Sequence, residues 1–487
     1  MKLLEKLETY KTSEKIALKG EKEELSYKEL WEYSESLANY LSQNLKKREP
    51  LVVYGHKNPF MIVSFLACVK SGHAYCPVDT SISLERLNDI VGTVNPEIIL
   101  SCTNKKFDEY DTLNIQDIIK VSKEVKPSVD KNNYIKDQDI FYIIFTSGST
   151  GTPKGVEISY QSLNNFIKWI SSLDEKKNDQ KLYLNQAPFS FDLSVMDLYL
   201  SLYNEGKLIL IEKEIQSDYS KLFDRLKNNL INTWVSTPSF VDICLASELF
   251  NDKLLPNLDT FLFCGEILTK KTAEMLLFNF PNAKIYNTYG PTESTVAVTS
   301  IEITQDIINK YNSLPVGKPK IGTQILIDNE EIVIVGDTVS NGYFNNPILT
   351  KEKFSIINSQ KAYRTGDKGF FLDGLLFYSG RIDNQIKLNG YRIELEDIEN
   401  NMMRVDGISK VAVLPKFEDG KVKYLTAYCM YTKEILSKLK AIAEIKEELK
   451  KYIPSYMIPK KIIFIEKIPT NNNGKIDRKK LMELGDN

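Results

Sequence analysis

Residues 145–155 have the sequence Phe-Thr-Ser-Gly-Ser-Thr-Gly-Thr-Pro-Lys-Gly and combine the groups that a phosphate-binding loop needs. Glycine lets the backbone turn through positive φ and approach an anion, and successive N–H groups can line a concavity that attracts negative charge. Hydroxyl side chains add donors, and one lysine adds a positive charge. The candidate phosphate-binding residues are Thr146, Ser147, Gly148, Ser149, Thr150, Gly151 and Lys154.

Two other interpretations of this segment are weaker. Counted from Gly148, the Walker pattern GxxxxGK[ST] needs glycine where Pro153 stands, so a P-loop NTPase is disfavoured. A flexible Gly/Ser linker would not normally follow an apolar run such as 140–145 or precede a strand-like run such as 156–159. We therefore predict a structured loop between two strands.

The flanking sequence predicts a multidomain α/β protein, because 487 residues are too many for one compact core. Apolar runs at 51–54, 208–211, 261–263 and 332–335 predict buried strands, and the spacing of Leu163, Phe166, Ile167 and Ile170 predicts a helix. The large N-terminal domain, residues 1–382, is expected to contain two layered α/β subdomains and, over 314–378, a small β-barrel-like subdomain. Residues 383–487 are expected to form a small mobile α+β domain.

Composition excludes several function classes. The net charge of −2 argues against nucleic-acid binding, and no apolar run is long enough to cross a membrane or serve as a signal peptide. The six cysteines form no CxxC pair, and the chain has only two histidines, so zinc sites and histidine-based triads are disfavoured. We expect a cytoplasmic protein. Residues 384–487 carry 20 Lys+Arg against 15 Asp+Glu, a basic balance that could steer an acidic partner.

Four further motifs follow the loop in order. They are Tyr-Gly-Pro-Thr-Glu at 289–293, Tyr-Arg-Thr-Gly-Asp at 363–367, Gly-Arg-Ile-Asp at 380–383 and Asn-Gly-Lys at 473–475. In this order and spacing, the chain from about Leu25 to Leu481 resembles the adenylate-forming enzymes, the superfamily of acyl-CoA synthetases, luciferases and peptide-synthetase adenylation domains. The resemblance implies that ATP and a carboxylate react to give an acyl-adenylate and pyrophosphate.

The resemblance also implies an ATP and Mg²⁺ site. The 146–154 loop would face the phosphates, Thr292 would meet the α-phosphate, and Glu293 would hold Mg²⁺, which takes few protein ligands in nucleotide sites. Asp367 would bind the ribose hydroxyls. The remaining positions implied beside adenine, ribose and phosphate are Asn287, Thr288, Tyr289, Gly290, Pro291, Tyr378, Ser379, Gly380 and Arg381.

Lys475 matches the family's catalytic lysine. A cation placed between an attacking carboxylate and an α-phosphoryl group stabilises the charge of the transition state, and this lysine would contact both ATP and the carboxylic substrate. In the superfamily the small domain then turns about a hinge aspartate, here Asp383. That turn would remove Lys475 and bring the face around Gly390 toward an incoming thiol.

The segment Phe-Asp-Leu-Ser at 191–194 narrows the substrate to an amino acid, because amino-acid-activating relatives use an aspartate at the position of Asp192 to pair with the α-ammonium group. The segments 186–192, 236–240, 261–266 and 287–298 are closest to the branch that activates D-alanine for teichoic-acid D-alanylation. Cys264, Gly265 and Val296 would line its pocket. Glycine lacks one methyl group, worth only about 0.8 kcal/mol on burial, so discrimination against glycine is expected to be weak.

The implied partners are D-alanine and a separate acidic carrier protein that bears a phosphopantetheine thiol, and the chain is expected to be monomeric. The alternatives are an adenylation domain for another small amino acid, an acyl-CoA ligase, and a catalytically silent adenylate-binding regulator. The D over L preference rests on the resemblance alone. The chain departs from the family pattern at 328–331, Asp-Asn-Glu-Glu, where a shortened turn lies away from the chemical motifs.

Overall fold

The computed structural model describes residues 1–148, 153–174, 179–216, 218–418, 420–469 and 476–485. The strands are β1 Ile16–Lys19, β2 Glu24–Ser26, β3 Leu51–Gly55, β4 Tyr75–Asp79, β5 Ile99–Ser101, β6 Thr112–Leu113, β7 Ile140–Thr146, β8 Lys154–Ser159, β9 Leu182–Asn185, β10 Lys207–Leu210, β11 Thr233–Ser236, β12 Thr260–Phe263, β13 Lys284–Tyr289, β14 Thr299–Glu302, β15 Lys318–Pro319, β16 Thr323–Asp328, β17 Glu331–Gly336, β18 Gly342–Tyr343, β19 Phe354–Ile357, β20 Gln360–Leu372, β21 Leu375–Arg381, β22 Gln385–Leu388, β23 Tyr391–Glu394, β24 Ile408–Glu418, β25 Lys421–Tyr431 and β26 Lys461–Phe464.

The α-helices are α1 Leu3–Thr9, α2 Tyr27–Asn44, α3 Pro59–Lys70, α4 Leu84–Val94, α5 Ile115–Glu124, α6 Tyr160–Ile170, α7 Leu193–Tyr203, α8 Lys213–Gln216, α9 Tyr219–Lys227, α10 Pro238–Leu245, α11 Lys270–Asn279, α12 Gln305–Lys310, α13 Pro347–Lys353, α14 Leu395–Met402, α15 Lys438–Leu449 and α16 Arg478–Gly485. Short 3₁₀ turns occur at Lys131–Asn133, Thr292–Ser294 and Ser455–Met457. Within the described ranges no helix is long and apolar enough to cross a membrane.

The chain divides into two compact units. The first contains residues 1–80, 93–145 and 155–380, and the second contains 81–92, 146–154 and 381–487. The predicted boundary at Asp383 stays a prediction, but the α/β class is confirmed by the strands and helices themselves. The predicted strands at 51–54, 208–211, 261–263 and 332–335 correspond to β3, β10, β12 and β17, and the predicted helix corresponds to α6.

In the part of the chain that the structure describes, three sheets belong to the first unit. Among the described strands, one sheet has the order β15-β14-β13-β12-β11-β9-β10-β1-β2, and its strands from β13 to β1 are parallel. A second sheet has the order β18-β8-β7-β4-β3-β5-β6, with β7, β4, β3, β5 and β6 parallel. The third sheet contains β16, β17, β19, β20 and β21, and its β16–β17, β17–β20 and β19–β20 pairs are antiparallel. It lies in the region where a small β-barrel-like subdomain is expected.

Strands β3 and β4 are buried at every residue, as expected for parallel strands with helices on both faces of the sheet. Helix α3 is buried along its whole length, so its near-continuous apolar sequence packs on every side. It starts at Asn58, whose side chain accepts a hydrogen bond from the Phe60 N–H, and Pro59 occupies the first helical position. Helix α2 starts with a capping box in which Ser26 and Glu29 bond each other's backbone N–H groups.

The second unit has a hairpin, β22-β23, and a sheet of β24, β25 and β26, in which β24 and β25 are antiparallel and β25 and β26 parallel. Apolar residues of α14, α15 and these strands form its core, with Ile393, Ile398, Val413, Ala427 and Leu449 among the most buried. This combination of helices and a mixed sheet agrees with the α+β class expected for residues 383–487.

Candidate active site

The predicted site residues of the first unit follow the carboxyl ends of parallel strands. Strand β9 ends at Asn185, β11 at Ser236, β12 at Phe263 and β13 at Tyr289. The register pairs Val235 with Asn185 and Ser236 with Phe263, so these ends lie at one edge of the sheet. Ligands of open α/β sheets bind outside this edge. The segments that carry Asp192, Cys264 and Thr292 therefore all begin at the same edge of the sheet.

Tyr289 and Asp367, which are 78 positions apart in the chain, are in direct contact. The Tyr289 hydroxyl donates a 2.6 Å hydrogen bond to Asp367 Oδ2. Burial and the neighbouring Asp367 charge raise the pKa of Tyr289 well above its usual value. The ring of Tyr378 lies 6.3 Å from that of Tyr289, at 38°. An aromatic pair beside a carboxylate offers a stacking face for a base and an acceptor for hydroxyl groups.

Asn287 and Thr288, predicted to line the adenine wall, bond to neighbouring backbone. Asn287 Nδ2 donates to the Pro315 carbonyl, and Thr288 Oγ1 donates to the Phe263 carbonyl, each at 2.8 Å. These bonds hold β13 against its surroundings. In the described contacts, both side chains therefore stabilise the position of β13 beside the proposed adenine site.

The turn after β13 is tight and strained. A Cβ on Gly290 would lie 2.6 Å from the Ala297 Cα, so only glycine fits there. Thr295 and Val296 have φ of 60° and 68°, a left-handed conformation that costs a β-branched residue roughly 1–3 kcal/mol. Thr295 Oγ1 donates 2.7 Å to the Thr338 carbonyl, which helps to hold the turn. Strain of this kind concentrates at ligand-binding sites.

Glu293, the proposed Mg²⁺ ligand, is completely buried within this turn. Its Oε1 accepts a 2.8 Å hydrogen bond from the Tyr343 hydroxyl, and its carbonyl accepts one from the Ser340 N–H. No group of three His, Cys, Asp or Glu side chains that could hold a metal occurs in the described part of the chain. A cation bound here would rest on a lone carboxylate and its own water and phosphate oxygens, the pattern that Mg²⁺ favours.

Cys264 and Val296, predicted to line one pocket, are brought together. The Cys264 thiol lies 3.5 Å from the Val296 carbonyl oxygen, and both residues are buried. Gly265, next to Cys264, has φ of 93°, where a side chain would be strained. Asp192 precedes α7 and makes no capping hydrogen bond to it.

The described part of the phosphate loop lies in the second unit. Ser147 Oγ donates 2.8 Å to the carbonyl of Arg392, on β23. Thr146 Oγ1 is buried and has no hydrogen-bond partner among the residues that the structure describes. An unsatisfied buried hydroxyl is costly and fits a ligand oxygen. Ser149, Thr150 and Gly151 lie outside the described residues, and so does Lys475.

The hinge and thiol-facing positions have clear local structure. Burial favours the neutral form of Asp383, but the hydrogen bond and charge of Arg381 outweigh this effect and lower the pKa of Asp383. Arg381 Nε donates 2.7 Å to its Oδ1. Gly390 has φ of 84° and, with Asn389, forms the two-residue turn between β22 and β23. Ser379 and Gly380 lie within β21, and a Cβ on Gly380 would meet no neighbour.

Sequence reasoning missed three polar residues beside these positions. Tyr343 bonds Glu293. Tyr142 is buried, and the charge of Asp192 adds to burial and to Tyr75 in raising the pKa of Tyr142. Lys57 is buried and bonds Asn185 and Ala187. A lone lysine or tyrosine belongs to no motif. The only sequence signals were that Lys57 follows a predicted strand and that Tyr142 lies within one.

A family model described as AMP-binding enzyme matches residues 6–344, and one described as AMP-binding enzyme C-terminal domain matches residues 397–475. The chain therefore belongs to the family of AMP-binding enzymes and, within it, groups with the D-alanine--D-alanyl carrier protein ligases. It is 44% identical over 499 residues to the relative of that name from Bacillus licheniformis, covering 99% of both chains. It is 47% identical over 484 residues to the one from Listeria welshimeri, covering 94% of this chain and 93% of the other.

Solved structures share the fold. The Vibrio cholerae adenylation domain AlmE in complex with glycyl-adenosine-5'-phosphate has a TM-score of 0.83 at 22% identity, over 100% of this chain and 97% of that chain. An o-succinylbenzoate CoA synthetase double mutant from Bacillus subtilis has a TM-score of 0.84 at 19% identity, over 99% of this chain and 98% of that chain. At these identities the similarity concerns the fold alone, and it confirms the predicted adenylate-forming architecture.

Proposed function

We propose that the chain activates D-alanine with ATP and transfers the D-alanyl group to the phosphopantetheine thiol of a separate carrier protein, for D-alanylation of teichoic acid. The observation that carries this proposal is the 44–47% identity, over nearly the whole chain, to relatives named for this reaction. The 3.5 Å contact between the Cys264 thiol and the Val296 carbonyl supports it, because it brings together two residues that the family resemblance assigns to the amino-acid pocket.

In the first half-reaction, a carboxylate oxygen of D-alanine attacks the α-phosphorus of ATP, and the bond to the pyrophosphate oxygen breaks. Asp192 pairs with the substrate ammonium group, which also selects against carboxylic acids that lack one. Tyr289 and Asp367 bind the nucleoside, and the loop that includes Thr146 and Lys154 binds the phosphates. Lys475 stabilises the charge that develops between carboxylate and phosphoryl oxygens.

Glu293 would hold Mg²⁺, and Thr292 would contact the α-phosphate beside it. The ion would supply positive charge to neutralise the phosphate oxygens. Tyr343 donates to the same carboxylate, and this hydrogen bond orients the Glu293 side chain.

In the second half-reaction, the carrier thiol attacks the carbonyl carbon of D-alanyl-AMP. The bond to the phosphate oxygen breaks, AMP leaves, and the thiol proton passes to solvent. AMP is a good leaving group, so the step demands no histidine base, and neither histidine lies in a family motif. Asp383 would act as the hinge, and the turn at Gly390 would face the incoming thiol.

Pyrophosphate exchange tests the substrate class. The purified protein is incubated with ATP and labelled pyrophosphate, and with D-alanine, L-alanine, glycine, serine or acetate in turn. We expect the highest kcat/KM for D-alanine, a measurable rate with glycine and none with acetate. Preference for another amino acid would replace D-alanine in the proposal, and efficient exchange with acetate would remove the amino-acid class altogether.

A further inference from the structure

Lys57, which follows β3, is a buried lysine that no sequence motif marks. Only 6% of it is exposed. Its Nζ donates to Asn185 Oδ1 and to the Ala187 carbonyl, and it lies 4.3 Å from the centroid of the Phe189 ring. Lysine is almost never buried without such partners, because an unpaired ammonium group loses its hydration. All three contacts fall within five consecutive positions of the chain, 185–189.

The contacted segment leads directly to Asp192. Asn185 is the last residue of β9, and residues 186–192 connect it to α7. Asn185 Nδ2 also donates 2.8 Å to Asp197 Oδ1, on α7. One chain of hydrogen bonds therefore runs from Lys57 through Asn185 to Asp197. These hydrogen bonds fix residue 185, where the segment 185–192 begins, and Asp197 on α7, five residues after the segment ends.

Burial of these ionisable side chains has an electrostatic free-energy cost. Burial lowers the pKa of Lys57 to about 7, against the opposing charges of Asp197, Asp79 and Glu212. Burial likewise raises the pKa of Asp197 to about 7, against the charge of Lys57. The hydrogen-bond acceptors of Lys57 are a neutral amide and a carbonyl, and an apolar side chain at this position would lose no charge hydration on burial, so stability alone does not explain a lysine here. Its contacts with one segment point to a role in positioning.

We propose that Lys57 is a positioning residue for amino-acid binding, which fixes the segment 185–189 and, through Asn185 and Asp197, the place of the Asp192 carboxylate. This inference rests on the proposed function. A substrate as small as D-alanine offers few contacts, so its ammonium group supplies a large share of the binding energy. A small displacement of Asp192 is then felt mainly in the affinity for the amino acid and little in that for ATP.

The test compares Lys57→Met with Lys70→Met in D-alanine-dependent pyrophosphate exchange. Lys70 is the matched control, because it is also a buried lysine, bonded to Ser34 at 2.9 Å and lying 3.4 Å from the Trp31 ring centroid, but with no bond to segment 185–189. We expect Lys57→Met to raise KM for D-alanine about 10-fold or more, because the variant loses the hydrogen bonds that the charged amino group of Lys57 makes to the segment. KM for ATP should change less than twofold. Lys70→Met should leave both constants near wild type.

Lys57→Gln is the conservative variant, since it keeps two N–H donors on a shorter side chain, and it should give an intermediate KM for D-alanine. Where Lys57→Met does not fold, as judged by circular dichroism, the same comparison is made with Lys57→Gln. An unchanged KM for D-alanine, equal changes in both KM values, or the same rise in Lys70→Met would overturn the proposal.

Failure of the proposed function gives a different result. If the wild-type protein prefers another amino acid, KM is compared for that amino acid, because any α-ammonium group would meet Asp192. If the wild-type protein activates acetate as well as amino acids, the proposed function fails and the role of Lys57 fails with it. A wild-type protein that prefers D-alanine, with an unaffected Lys57→Met variant, contradicts the positioning role alone.

Discussion

At the scale of single residues, the site combines groups that the sequence marks with groups that it does not. Asp367 and Glu293 stand in motifs, and each bonds a tyrosine, Tyr289 or Tyr343, through its hydroxyl. The motif residues could be predicted because their motifs match those of the adenylate-forming enzymes in order and spacing. Tyr343 could not, because its partner is 50 positions away and only the folded chain brings the two together.

Asp192→Ala tests the amino-acid contact. Loss of a hydrogen bond to a charged group costs about 1.5–3 kcal/mol, so KM for D-alanine should rise by about 10- to 100-fold. KM for ATP should stay within about twofold. The measurement is pyrophosphate exchange at varied D-alanine and at varied ATP. Equal loss of both affinities would mean that Asp192 supports the fold rather than the substrate.

His73 supplies a pH prediction. Burial lowers the pKa of His73, with the nearby charge of Arg48 adding to this effect and a hydrogen bond to the Lys47 carbonyl opposing it. The unfolded chain therefore takes up the proton more readily, and this residue's contribution to stability is present above about pH 6.5 and is lost as pH falls. Between pH 7 and 5, the free energy of unfolding of His73→Asn should change less than that of wild type, as measured by urea denaturation. Parallel pH profiles of the two proteins would contradict this assignment.

At the scale of elements, prediction worked where a pattern is local. Buried strands such as β12 are continuous apolar runs, and α6 has a regular apolar face. The strained turn at Thr295 and Val296 has no such signal, because β-branched residues disfavour the left-handed region that both occupy. Tertiary hydrogen bonds impose that conformation, and a sequence read locally does not contain them.

The hairpin between β16 and β17 offers a stability prediction. Its two turn residues, Asn329 and Glu330, have φ of 49° and 68°. Glycine fits such positions and asparagine tolerates them, but glutamate is strained. Glu330→Gly should raise the free energy of unfolding by about 0.5–1 kcal/mol, after the larger backbone entropy of glycine is subtracted. Asn329→Gly is the control and should gain less in the same urea titration.

At the scale of the whole molecule, the two proposed half-reactions need different residues beside the same substrate. Adenylation needs Lys475, and thioester formation needs the turn at Gly390. The elements predicted for both units exist in the described residues. The proposed turn of the small domain about Asp383 depends on which surfaces meet, and sequence periodicity does not encode that. The local features at the proposed hinge are the bonded pair of Arg381 and Asp383. At the proposed thiol-facing turn, Gly390 has a conformation that glycine adopts most easily.

Lys475→Ala should separate the two half-reactions. Adenylation should fall by at least about 10³-fold, because a charge aimed at the transition state is removed. Thioester formation from supplied D-alanyl-AMP and carrier protein should stay near the wild-type rate. Pyrophosphate exchange measures the first step, and mass spectrometry of the carrier measures the second. Adenylation that survives in this variant would show that the assignment of Lys475 is wrong.

All six cysteines are buried, and burial raises the pKa of Cys102, Cys244 and Cys429 to about 12. An alkylating reagent reacts with accessible thiolate, so the native protein should resist it and become labelled only as segments open. Peptide mapping of the order of labelling would then rank the local stability of both units. Protection of Cys264 by D-alanine would report occupancy of the pocket without any turnover.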